Sequence, residues 1–250
     1  LARRVAIRTE SQNPDSGEML NLYLTGEMRP AFERMGYRCQ MLDNPVEGGG
    51  PFLLAERFEG ESLPTVLGYG HGDVIRGQDD SWREGLSPWR LTRVDNRLYG
   101  RGTADNKGQH TVNMGALAAV IGTRGKLGFN SKFLIEMGEE VGSVGLRELA
   151  VLHRDLLAAD VLIASDGPRV NAATPTLFLG ARGALNFDLI CDLRDGGHHS
   201  GNWGGLLANP GIILAHAISS IVTDKGQVIL ADWLPPGIPD AVRDAVDGLE

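Results

Sequence analysis

Glu139 and Glu140 stand side by side where the apolar run Phe133-Leu134-Ile135 ends, in the segment LIEMGEEVGS (134–143). Adjacent carboxylates repel each other, and a strand end gains nothing from the pair. Three other segments share the design of apolar residues running into polar ones, or of a polar cluster opening a helix. VLGYGHGDV (66–74) carries His71 and Asp73, VLIASDGP (161–168) carries Asp166, and GRGTADNKG (100–108) carries Asp105. One imidazole converging with several carboxylates is the composition of a site for divalent metal ions. Four carboxylates in one crevice would otherwise repel strongly, and a pair of cations removes that difficulty.

Each residue also has an ordinary reading. A His-x-Asp pair is common by chance. Glu139-Glu140 fits a solvated loop or a helix N-terminus, where acids are mildly favoured. Asp105 fits a cap on the helix that follows it, and Asp166-Gly167-Pro168 fits a simple turn. What raises the metal reading is that all of them fall at element boundaries. A dinucleotide site is disfavoured: GYGHGD (68–73) starts as Gly-x-Gly after a strand, but Asp73 replaces the third glycine and no helical pattern follows.

The elements that must position these residues alternate. YRCQML (37–42), FLLAERF (52–58), PTVLGYGH (64–71), SKFLIEMGEE (131–140) and DVLIASDGP (160–168) read as strands. Residues 17–36 have mostly helical spacing, with Pro30 expected to kink or divide the helix. Residues 105–125 read as a helix with Met114, Leu117, Ala118 and Ile121 on one face, and 142–159 as another. WRLTRVDNRLYGRG (89–102) carries a hairpin signal with its turn near Asp95-Asn96. The pattern implies an α/β fold, a mostly parallel sheet flanked by helices. In such a sheet ligands bind beyond the carboxyl ends of the strands, which would bring His71, Asp73, Glu139, Glu140 and Asp166 to one edge, with Asp105 beside them. The pattern changes near residue 177. Residues 177–194 read as a long strand, followed by the Gly-rich DGGHHSGNWGG (195–205) and a helix over 209–222. The expected domains are therefore 1–177 and a smaller, incomplete α+β domain over 178–250.

The 250 residues, 42% of them hydrophobic, suffice for one or two domains with a real core. A net charge of −8 with mixed signs argues against nucleic acid and anionic membrane as partners. No apolar run approaches the ~20 residues of a membrane span, and LARRVAIRTES lacks the apolar region of a signal peptide. The first residue is not Met, so it reads as a truncation or processing point. Cys39 and Cys191 are the only cysteines. They are capable of pairing, but such sparse use points to a reduced, cytoplasmic protein.

The motifs GHGDV, GRGTADNKGQ, MGEEVGS, ASDGP, GARG and HHSGNWGG, in this order and spacing, resemble the dinuclear zinc peptidase family of aminoacylases, glutamate carboxypeptidases, succinyl-diaminopimelate desuccinylases and carnosinase-like dipeptidases. The resemblance covers nearly the whole chain. It implies two Zn2+, with Mn2+ or Co2+ able to replace them, and a small peptide or N-acyl amino acid as substrate. In its terms His71, Asp105 and Asp166 hold the first zinc, Asp105 bridges to the second, and Glu140 binds the second. Asp73 backs His71 and fixes its tautomer, the Asp105–Asn106 peptide is cis, and Glu139 is the general base of the attacking water. The neighbouring glutamates would thus have different tasks, one turned to a metal and one to water. His199 matches a lid histidine that reaches across a homodimer to stabilise the oxyanion, with His198 a departure from the family's Leu. Asp at position 166 tilts the substrate toward dipeptides.

Arg182 in GARG reads as support for the domain junction, and His110, His153 and His216, in helical segments, read as structural. Relatives have a longer chain whose returning segment carries a last histidine ligand, so the sequence looks truncated at its C-terminal side. The isolated chain is then expected to bind its second metal weakly and to have little activity. The alternative function is a catalytically inactive relative or fragment acting as a dimerising or binding module.

Overall fold

Phe52, Leu53, Leu54 and Ala55 are all buried, in one unbroken run. Since neighbouring side chains of a strand point to opposite faces, such a run needs apolar cover on both sides of its sheet. The computed structural model provides it. It describes residues 1–167, 171, 173–178, 185–235 and 237–248, and the chain divides into two compact units, Leu1–Phe178 and Leu179–Glu250.

In the first unit the elements follow as α1 (Ala2–Ala6), α2 (Gly17–Leu22), α3 (Arg29–Glu33), β1 (Arg38–Leu42), β2 (Phe52–Arg57), β3 (Thr65–His71), β4 (Thr92–Val94), β5 (Arg97–Tyr99), α4 (Lys107–Arg124), β6 (Asn130–Glu136), α5 (Leu146–Leu152), α6 (Arg154–Leu157) and β7 (Val161–Ala164). Five strands form one sheet in the order β1-β2-β6-β3-β7. The sheet is mixed. β6, β3 and β7 run parallel, while β1–β2 and β2–β6 are antiparallel. The three parallel strands are the ones whose carboxyl ends lead into the polar clusters, so those clusters share one edge. β4 and β5 form a separate hairpin that turns at Asp95, whose φ is +53°.

One face of the sheet packs Leu53, Ala55, Phe133 and Ile135 against Tyr23, Leu24, Met28, Phe32 and Met114. The other packs Phe52, Leu54 and Leu134 against Leu42 and Leu149. The helical path through residues 17–33 does not simply break at Pro30. Between α2 and α3 it passes through a π-helical turn, Tyr23–Met28, and restarts with Pro30 in the first turn of α3, where a missing N–H has no partner to lose. α4 ends at Gly125, whose φ of +73° suits the left-handed C-terminal position. At its start Lys107 is fully buried, and its Nζ donates to the main-chain oxygens of Arg4 (3.0 Å) and Ile7 (2.7 Å). These bonds fasten the first residues of the chain to the helix that follows Asp105.

The second unit contains α7 (Ser200–Trp203), α8 (Pro210–Ser219) and α9 (Asp240–Asp247). The strand expected over 177–194 is not formed at its described positions. Leu185, Phe187 and Leu189 alternate with polar residues as a strand would but are exposed. A strand exists only when a neighbour completes its hydrogen-bond ladder, and none lies beside these residues among those described. Residues 179–184, with GARG and Arg182, lie outside the described residues. Among those described, no helix is long and apolar enough to cross a membrane.

Candidate metal centre

β3 delivers His71 fully buried at its carboxyl end. Around Nε2 stand Asp105 Oδ1 at 2.9 Å, Asp166 Oδ1 at 3.6 Å and Glu139 Oε2 at 3.8 Å. The ligand atoms of His71, Glu139 and Asp166 all lie within 4.8 Å of one another. Four elements thus contribute: the ends of β3 and β7, the turn after β6, and the approach to α4. Asp105 does not cap that helix. Its carboxylate turns to His71, and Asn106 occupies the N-cap position without a side-chain cap. The Asp105–Asn106 peptide is cis.

Asp73 lies beneath this group and is fully buried. His71 Nδ1 is 3.1 Å from the Asp73 main-chain oxygen and 3.3 Å from its Oδ1. The same carboxylate accepts the backbone N–H groups of Glu139 (3.2 Å) and Glu140 (3.1 Å). One side chain therefore fixes the imidazole ring and the turn bearing both glutamates. Glu140 lies outside the trio that gathers around His71 and faces Asp105 electrostatically.

The electrostatics are those of a site for positive charge. Burial opposes charge on His71, but hydrogen bonds from its ring to the carboxylates of Asp105, Asp166 and Asp73 outweigh it and push the pKa up to about 12. Asp105 is held below the usual carboxylate range by its bond to His71, against the effect of burial. Glu139 is pushed up, first by burial and then by repulsion from Asp166, Asp73 and Asp105. Glu140 is pushed up by burial and by Asp105. A carboxylate cage that stabilises an imidazolium this strongly is equally suited to a divalent cation, which competes with the proton for Nε2. One nitrogen with several carboxylate oxygens fits Zn2+, and also Mn2+ or Co2+.

Two residues that sequence reasoning passed over complete the frame. The Asn106 amide donates to Asp166 Oδ1 (2.9 Å) and the Ser165 main-chain oxygen (2.7 Å). Glu136 ends β6 almost wholly buried. Its Oε1 accepts from Tyr69 Oη and from Ser143 Oγ (3.1 Å), and its Oε2 has no partner among the described residues. Glu136 thereby ties down the turn after Glu139-Glu140, where Gly142 (φ +91°) and Ser143 (φ +51°) take left-handed conformations. An acid closing an otherwise apolar strand was the available signal.

In the second unit His199 is exposed, and its Nδ1 accepts the Gly201 N–H at 3.0 Å as the N-cap of α7. His198 meets the Trp203 ring edge-on, with centroids 5.9 Å apart. His153 sits at the junction of α5 and α6, and His216 in α8.

A family model described as peptidase family M20/M25/M40 matches residues 67–228, more than half of the chain. A Beta-Ala-His dipeptidase of Mus musculus is 36% identical over 201 residues, covering 79% of this chain and 39% of the relative. A cysteinylglycine-S-conjugate dipeptidase of Corynebacterium striatum is 33% identical over 169 residues, covering 67% and 36%. The crystal structure of human carnosine dipeptidase 1 is similar with a TM-score of 0.69 at 26% identity, covering 97% of this chain and 54% of that one. The chain spans about two fifths of the length of the curated relatives it matches.

Proposed function

The chain belongs to peptidase family M20/M25/M40, and on that premise we propose that it carries the metal-binding and catalytic groups of a hydrolase cleaving the amide bond of a dipeptide or N-acyl amino acid. The observation that carries this reading is the convergence of His71, Glu139 and Asp166 at one sheet edge, with Asp105 against the imidazole. His71, Asp105 and Asp166 would hold one Zn2+, and Asp105 with Glu140 the other. When bound, such ions polarise the substrate carbonyl and make water a nucleophile at neutral pH.

Glu139 is the general base. Its carboxylate takes a proton from the attacking water and returns it to the leaving nitrogen. Its position beside Glu140 is reasonable, because Asp73 holds both backbone N–H groups and leaves both side chains free to diverge. Asp73 keeps the His71 ring in place with Nε2 toward the site. His199 stabilises the oxyanion of the tetrahedral intermediate in the site of a partner subunit, within a homodimer formed through the second unit. The names of the relatives specify dipeptides, and this favours a dipeptide here. The sparse cysteines favour a cytoplasmic setting.

The test uses the polypeptide at the full length its gene encodes, loaded with Zn2+ and offered dipeptides, N-acyl amino acids and N-succinyl amino acids. Hydrolysis of at least one class is expected, abolished by a chelator. Ion binding without turnover on any class would leave the non-catalytic alternative as the better account.

A further inference from the structure

His110 reads from sequence as a histidine of a helix interior, and it is fully buried. Its ring nonetheless lies between two polar groups: Nδ1 is 3.1 Å from Asn106 Oδ1, and Nε2 is 2.6 Å from Tyr23 Oη. The direction of every bond in this chain follows from backbone groups whose polarity is fixed. The His71 N–H, a donor, faces one end of the Asn106 amide at 3.3 Å, so that end is the oxygen. The Ser165 main-chain oxygen, an acceptor, faces the other end at 2.7 Å, so that end is the nitrogen. Asn106 Oδ1 can only accept, hence His110 carries its proton on Nδ1. Full burial keeps the ring neutral, so Nε2 is unprotonated and the Tyr23 hydroxyl donates to it. The last link runs from Asn106 Nδ2 to Asp166 Oδ1 at 2.9 Å, and the same NH2 group also meets the Ser165 main-chain oxygen and Gln109 Oε1, each at 2.7 Å.

The sequence makes room for this arrangement. A Cβ on Gly70 would lie 2.9 Å from His110 Cβ, and one on Gly72 would lie 2.5 Å from the Tyr23 ring. In Gly70-His71-Gly72-Asp73 the glycines thus face Tyr23 and His110, while His71 and Asp73 face the candidate centre. The π-helical turn begins at Tyr23 itself, and such turns, mostly local insertions in α-helices, are frequent at functional sites.

We propose that Tyr23, His110 and Asn106 are positioning residues: a one-way hydrogen-bond chain, Tyr23 to His110 to Asn106, that sets Asp166 from the buried side for the ion shared with His71. This rests on reading Asp166 as a metal ligand. Outer partners of metal ligands typically govern affinity by about 10–100-fold. Tyr23→Phe removes only the terminal hydroxyl, leaving the ring to pack.

The experiment is a Co2+ titration of the chain, wild type against Tyr23→Phe and Asp166→Ala, followed by the visible spectrum and paired with melting temperatures. Long-range proton–nitrogen NMR of the imidazoles is recorded alongside. The expected result is a Co2+ affinity about tenfold weaker or worse in Tyr23→Phe with an altered spectrum at a similar melting temperature, a larger loss in Asp166→Ala, and an Nδ1–H tautomer for His110. Wild-type affinity and spectrum in Tyr23→Phe, beside a weakened Asp166→Ala, would overturn the positioning chain alone. Undiminished binding in Asp166→Ala would overturn the ligand reading and the proposal with it. If Tyr23→Phe does not fold, the wild-type tautomer decides, and a proton on Nε2 of His110 refutes the chain.

Discussion

Leu54 and Ile213 are both aliphatic residues within regular elements, yet Leu54 is inaccessible to solvent and Ile213 is 42% exposed. The contrast extends to the two units. The first has apolar clusters on both faces of its sheet. Among the described residues beyond Leu149 none is buried, although Ile212, Ile218, Trp203 and Trp233 are all present there. The difference is one of neighbours and not of composition. An amphipathic or apolar element is stabilised only when something covers it. The candidate site draws on both kinds of region: His71 and Asp73 are fully buried in the packed part of the first unit, while Asp166, beyond the exposed strand β7, meets the Asn106 amide.

That contrast can be broken or sharpened by experiment. The largest effect concerns chemistry. In the full-length polypeptide, Glu139→Gln is expected to lower turnover about 10²–10⁴-fold, and His199→Ala about 10²–10³-fold if the second unit also serves the reaction. Steady-state kinetics reads both, and an unchanged kcat in His199→Ala would confine the chemistry to the first unit.

Next is packing. Leu54→Ala is expected to cost about 2–5 kcal/mol, and Ile213→Ala within about 0.5 kcal/mol, measured by urea unfolding. Equal costs would show that the second unit has a core after all.

A smaller effect concerns Glu136, whose pKa is raised, chiefly by burial. In the unfolded chain a glutamate ionises near its ordinary value of about 4.3. The stability contributed by the neutral carboxyl is thus complete below that value and is lost as the pH rises through the raised, folded one. Glu136→Gln cannot ionise, so its melting temperature should gain on the wild type as the pH rises above about 4.3. A gap that stays constant over that range would contradict the assignment.

The smallest effect concerns the thiols. Both cysteines are free, and burial, with help from Glu33, pushes Cys39 up to about 11. Its alkylation at neutral pH should be roughly a hundredfold slower than that of a thiol of ordinary pKa near 8.5. Mass spectrometry of iodoacetamide-treated protein gives the rate, with an unstructured cysteine peptide in the same reaction as the reference.

How far these features could be read in advance depended on the distance over which their causes act. β2, β3, β6 and β7 were legible because apolar runs and polar ends are local signals. His71, Glu139 and Asp166 were legible as a group because each falls at or just beyond such an end, Asp105 because a polar cluster opens the next helix, and an open α/β sheet gathers these positions. The long strand read over 177–194 failed for the opposite reason. Its alternation is local, but its ladder depends on a neighbour that no short window contains. Tyr23 and His110 were equally invisible, being 87 positions apart, and a histidine in a helix looks the same whether its ring is idle or bonded at both nitrogens. The relative order of β6 and β3 was also out of reach, since β6 enters between strands formed far earlier in the chain.

The π-helical turn at Tyr23–Met28 constrains the length of the chain. Its i→i+5 bonds accommodate one residue more than an α-turn would. Deleting a single residue there would let the segment relax to α geometry with its flanks near their present orientation, whereas inserting one more would rotate one flank against the other by roughly 100°. Either Tyr23 would swing away from the strand end beneath which it lies, or Met28 and Phe32 would leave the sheet. Insertions should therefore be tolerated in the loop before β2 but not between residues 23 and 28, although neither segment contains a group proposed to meet the substrate.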